Sequence, residues 1–119
     1  MNQIPFQTID WEKIDNIEVK AEMGTSFVKT LQLDSLRIRI LEYSENYLGD
    51  HWCKTGHIVQ CLEGQFEMEI KKGNKFIFRK GMSFVVSDNL SEHRAFSQNG
   101  AKLFVIDGDF LNIGLDSNE

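Results

Sequence analysis

This 119-residue chain has no apolar run near the ~20 residues needed to span a bilayer as a helix. It has no cluster of lysine and arginine either: 13 basic residues are scattered among 18 acidic ones, for a net charge of -5. Without a basic face, neither nucleic acid nor an anionic membrane is expected as a partner. The opening Met1-Asn2-Gln3-Ile4-Pro5-Phe6 has no basic segment and soon meets Asp10 and Glu12, so it does not read as a secretory signal. Only two cysteines occur, too few for a disulfide framework. They read better as a ligand or a buried small residue, and the expected compartment is the cytoplasm. Also missing after residue 22 is any 3.6-residue hydrophobic period sustained over ten positions. Nor is there a repeat, a linker or a low-complexity segment.

What is present is an ordinary globular composition, 41% apolar and 26% charged, in a length that fits one domain over residues 1–119. Residues 1–22 read as an arm, with Asp10 capping a short helical turn through Ile14 and Ile17-Glu18-Val19-Lys20 alternating as a strand does. The arm should pack on its own domain or on a second subunit. From Gly24 the chain reads as short strands and turns. Phe27 to Leu33 is one strand, followed by an Asp34-Ser35 turn. Leu36, Ile38 and Ile40 then alternate with Arg37 and Arg39, which predicts the aliphatic residues on the buried face. Ile58 to Leu62 is the next strand, with Gly64 as a break before the alternating Phe66, Met68 and Ile70. Lys72-Gly73-Asn74 turns the chain into Phe76-Ile77-Phe78, and Ser83 to Ser87 follows. Asn99-Gly100 predicts a hairpin into a strand from Lys102 to Ile106, and the tail from residue 116 is polar and expected to fray. The fold class is all-β, an antiparallel sandwich or barrel occupying residues 24–110.

The chemistry is concentrated in Asp50-His51-Trp52-Cys53-Lys54-Thr55-Gly56-His57, which holds two of the three histidines and one of the two cysteines. The third, His93, follows 36 residues after His57 (57 to 93). On a strand, His51 and Cys53 share a face. If Lys54-Thr55-Gly56 closes a hairpin, Cys53 and His57 face each other roughly 5 Å apart, within reach of one ion. His93 then comes from another strand, which makes His51, Cys53, His57 and His93 the candidate ligands. Cys61 lies four residues beyond His57, roughly 13 Å along an extended strand, and reads as a buried small residue. Trp52 and Arg94 are expected to face away from the ligands.

These residues resemble a known family. His51-x-Cys53-x3-His57-x6-Gly64 is similar to the first cupin motif, His-x-His-x3-Glu-x6-Gly, with cysteine and histidine in two of the ligand places. Cys61-Leu62-Glu63-Gly64 resembles the Val-Leu-Glu-Gly segment common there, and Asp88-x-Leu90-x-x-His93 has the spacing of the Pro-x-Gly-x-x-His turn of the second motif without its proline and glycine, Asn89 being expected to make the turn instead. Asp50-His51-Trp52-Cys53 is similar to the Asp-His-Cys-Trp label of a small group of cupins, with the last two residues exchanged. The resemblance, over about residues 24–110, implies a small cupin-like jelly-roll barrel with a metal inside and commonly a homodimer.

Imidazole and thiolate disfavour magnesium, calcium and manganese and favour one divalent transition-metal ion, with zinc, iron or nickel expected and copper also suited. Two readings stay open. In one, the site binds or transforms a small organic molecule, as a metal-dependent oxidoreductase or isomerase does. In the other, the metal is structural and the barrel is a ligand-binding or sensing module.

Overall fold

The computed structural model describes residues 3–111 and contains nine strands, all paired antiparallel. They are β1 (Ile17–Lys20), β2 (Thr25–Leu33), β3 (Leu36–Tyr43), β4 (Tyr47–Leu48), β5 (His57–Ile70), β6 (Lys75–Arg79), β7 (Ser83–Val86), β8 (His93–Ser97) and β9 (Ala101–Asp107). One layer runs β1-β2-β3-β9-β5-β7 and the other β6-β5-β8-β4, with β5 common to both. Backbone bonds between Met23 and Leu48 tie the second layer's edge strand to the chain just after β1, so the sheet curls into a partial barrel. The tail from residue 116 lies outside the described residues.

β5 can serve two layers because it bends. The expected break at Gly64 is instead a bulge, where the register to β9 slips between Cys61 and Glu63 while the strand continues to Ile70. Gly64 sits there at φ 76°, and a Cβ would meet the Gly100 carbonyl oxygen at 2.4 Å, so only glycine fits. Asn99-Gly100 also differs from expectation. β8 pairs with β5 and β4, whereas β9 pairs with β3 and β5, so this turn carries the chain between layers rather than closing a hairpin. The turns at Asp34-Ser35 and Lys72-Gly73 do join paired strands, with Asp34 and Lys72 in the left-handed region. Asn89 is left-handed too (φ 63°), as its place before His93 predicts.

Strand parity places the core. Val59, Cys61, Phe66 and Met68 of β5 pack with Leu103 and Val105 of β9 and Ala95 of β8, all buried. Aromatic contacts run through it from stacked Tyr43 and Tyr47 to Phe66, Phe78 and Phe84, and Phe84 meets the ring of His93. Cys61 is 1% exposed, in line with a small buried residue.

On β3 the parity is the reverse of the sequence expectation. Arg37 and Arg39 line the cavity between the layers with Leu41, while Leu36, Ile38 and Ile40 take the outer face. That outer face is apolar across five strands, along the paired row Val85, Ile58, Ile106, Ile38 and Leu31. Burial of an alternating strand is decided by which face has a partner layer, and here both faces carry apolar residues. The arm packs on the outer face: Asp10 caps the turn Trp11–Lys13, the Trp11 ring stands edge-on to Phe104, and Lys29 donates to the Trp11 carbonyl.

Candidate metal centre

The ligand-type residues meet at one mouth of the barrel. His57 begins β5 and pairs with Val86, and His93 begins β8. Cys53 is not across a hairpin from His57, as loop length suggested. It forms an isolated bridge with His93, the Cys53 amide donating to the His93 carbonyl at 2.7 Å and the reverse bond spanning 3.1 Å. Residues 54–56 then cross from that bridge to β5. Gly56 makes the crossing because a Cβ there would meet the Val86 oxygen and the Asp88 nitrogen, both at 2.6 Å. Its amide donates to the Asp88 carboxylate, which pins the loop.

One side-chain atom from each of Cys53, His57 and His93 lies within 4.8 Å of the other two. The Cys53 sulfur is 3.5 Å from Nε2 of His57. His57 Nδ1 stands 2.7 Å from Oδ1 of Asp107, and His93 Nδ1 donates to the Ser91 carbonyl at 2.8 Å. Both rings are thus oriented from behind by an oxygen acceptor, and both present Nε2 to the sulfur's side, as metal-binding imidazoles do. Nε2 of His93 is buried and has no hydrogen-bond partner among the described residues. An orphaned lone pair beside a thiol and a second imidazole fits a soft cation.

The protonation states agree with this arrangement. Burial is the largest single influence and pushes the Cys53 thiol up, but its imidazole neighbours, His57 foremost, and the Thr55 backbone together outweigh it and hold the pKa at about 5. For His57 burial acts downward, and the Asp107 carboxylate with the Cys53 sulfur raises it above the ordinary histidine value. At neutral pH the Cys53 sulfur is therefore a thiolate, the form that binds metals.

His51 stands apart from the other three. Its side chain is 76% exposed, bonds Asp50 at 2.7 Å, and lines the same cavity at its mouth. Trp52 turns outward under the Arg94 guanidinium, 4.7 Å from the ring centroid, with Lys71 at 5.9 Å. Behind the three clustered residues the cavity extends for about 580 Å³ between the layers, lined by Ser26, Tyr47 and Met68 as well as the two arginines. That volume suits a small organic molecule.

No protein-family model matches the chain, and no curated protein does. Solved structures do. A cupin described as RmlC-like, from Shewanella frigidimarina, superposes with a TM-score of 0.70 at 17% identity, over 87% of this chain and 91% of that one. The protein has the cupin fold. Ectoine synthase from P. lautus is similar with a TM-score of 0.71 and 18% identity, over 87% of this chain and 78% of the other. A sugar phosphate isomerase of the cupin superfamily from Silicibacter pomeroyi gives 0.70 and 12%, over 86% and 75%.

One residue of this site was not picked out by the sequence pattern. Asp107 follows Ala101, Leu103 and Val105 on the inward parity of β9 and is itself 6% exposed. A carboxylate continuing a buried apolar face signals a paired charge, and that was the available clue.

Proposed function

We propose that this cupin binds one divalent transition-metal ion, zinc, iron or nickel, through Cys53, His57 and His93, and binds or transforms a small organic molecule beside it. The observation that carries the reading is the convergence of one sulfur and two Nε2 atoms within 4.8 Å, with His93 Nε2 buried and unpartnered. Bound there, the ion would act as a Lewis acid or redox centre. The chain's own part is to supply the thiolate and to keep the Nδ1–H groups of His57 and His93 donating to Asp107 and Ser91, which leaves both Nε2 atoms for the ion. His51 is the expected fourth donor and decides between two roles. If it swings in from the mouth, a tetrahedral ion is closed by protein and the metal is structural, in a non-catalytic binding or sensing module. If it remains exposed, a coordination position is open to substrate, and the adjoining cavity favours this catalytic form, an oxidoreductase or isomerase.

A second copy of the chain is the proposed partner, covering the aliphatic row from Val85 to Leu31, in which Val85 is 69% exposed. Two free thiols suit the cytoplasm, and no helix among the described residues is long and apolar enough to cross a membrane. Elemental analysis of protein purified in reducing buffer tests the metal. About one equivalent is expected, and less than roughly a tenth after reconstitution with each ion would end the proposal. Absorption spectra of the cobalt-substituted protein then separate the roles, because an exchangeable water appears only at an open site.

A further inference from the structure

Two arginines face the cavity, and among the described residues one carboxylate, Asp107, serves both. Arg37 donates through Nε at 2.9 Å and through Nη2 to Oδ2 of Asp107, and Arg39 donates through Nη2 to the same oxygen at 3.1 Å. The other oxygen, Oδ1, belongs to His57 at 2.7 Å. Asp107 is therefore fully engaged. A guanidinium has five N–H groups. Among the described residues Arg39 places one of them on a protein acceptor, and its Nε is buried with no partner. Its side chain is only 17% exposed, and Arg37's is 38%. Burial, with the charge of Arg37 beside it, draws the Arg39 guanidinium below its ordinary pKa despite the support of Asp107.

Among the described residues no other anionic group pairs with either guanidinium: the Cys53 sulfur faces His57, Asp50 lies against His51 at the mouth, and Lys20, which also lines the cavity, pairs with Glu18 at 2.9 Å. Within this cluster two guanidiniums against one carboxylate leave a formal excess of one positive charge. Burying a cation short of counter-charge is unfavourable, so an anion that enters the cavity would be held there. The guanidinium fork matches the two oxygens of a carboxylate or phosphate. The hydroxyls of Ser26 and Thr30 line the same space and can take further oxygens.

We infer that the Arg37–Arg39 pair is the recognition subsite for an oxyanion, a carboxylate or a phosphate, on the small molecule that enters the cavity. This rests on the proposed function only for what happens at the molecule's other end. Asp107 joins the two ends, because it holds the arginines with one oxygen and His57 with the other. An anionic substrate would thus be anchored by the arginines with its reacting part directed at Cys53, His57 and His93.

Isothermal titration with inorganic phosphate, succinate and the neutral succinamide tests this, on reduced protein both stripped by chelator and loaded with zinc. The wild type should bind phosphate or succinate at least tenfold tighter than succinamide, and whichever anion is preferred names the group recognised. Arg39→Gln should weaken that anion tenfold or more and Arg39→Lys less, with metal content unchanged. Arg37→Gln, at a more exposed site, serves if Arg39→Gln does not fold, and should weaken the anion at least threefold. Failure of both anions to bind the wild type, or unchanged affinity in a folded Arg39→Gln or Arg37→Gln protein, overturns the inference. Anion binding to protein that takes up no metal supports it and removes the metal proposal alone.

Discussion

Asp107→Asn removes one charge from the centre of the site while keeping the side chain's shape. In the wild type burial alone would raise this carboxylate, but hydrogen bonds from His57 and Arg37 and the charge of Arg39 hold it at about 2, against an ordinary 3.8. The difference, 3.8 − 2 = 1.8 units, corresponds to about 2 kcal/mol of native-state stability at neutral pH. The substitution also leaves the Arg39 guanidinium buried without a counter-charge, and breaking a buried pair this way costs about 3–5 kcal/mol. Arg37 is exposed enough to turn to water, which favours the lower end. Urea denaturation of the metal-free, reduced protein at pH 7 should therefore show a loss of about 3 kcal/mol. Because the carboxylate's pKa is depressed on folding, its contribution is complete above about pH 4 and disappears as pH falls toward 2. The gap between wild type and variant should close over that window. A loss below about 1 kcal/mol at pH 7, or a gap independent of pH, would refute the claim that Asp107 compensates buried charge. Zinc affinity should fall roughly tenfold in the same variant, since an amide oxygen orients His57 less firmly than a carboxylate.

The cysteines should behave oppositely. Cys53→Ser is expected to lower zinc affinity by several orders of magnitude, whereas Cys61→Ser should leave metal content intact and cost about 1–3 kcal/mol, as measured by elemental analysis and denaturation. Iodoacetamide at pH 7 should modify Cys53 of the metal-free protein far sooner than Cys61, since one thiol is held at about 5 and burial raises the other. Comparable rates by peptide mass spectrometry would contradict the thiolate assignment. Gly64→Ala should destabilise by more than about 2 kcal/mol, because the added methyl meets the Gly100 carbonyl at positive φ. For the proposed homodimer, Ile58→Glu should give monomers in sedimentation, and a monomeric wild type would disprove the interface.

Strand alternation, turn residues and the absence of helical period were enough to read an antiparallel β-fold directly from the chain, because each depends only on near neighbours. The Asp10 cap, the Asp34-Ser35 and Lys72-Gly73 turns and the left-handed Asn89 were legible for the same reason. The scarcity of histidine and cysteine also picked out three residues that the fold brings together. What local pattern could not supply was the pairing of layers. Cys53 meets His57 through a bridge to His93, not a hairpin, and that contact exists only because β5 bends at Gly64 and serves both sheets. The face of β3 was undecidable too, since arginines and isoleucines alternate perfectly and only the opposing layer determines which side is enclosed. Asp107 acquires its meaning there, 50 residues from His57 and 70 from Arg37 in sequence, where three long-range partners converge on one carboxylate.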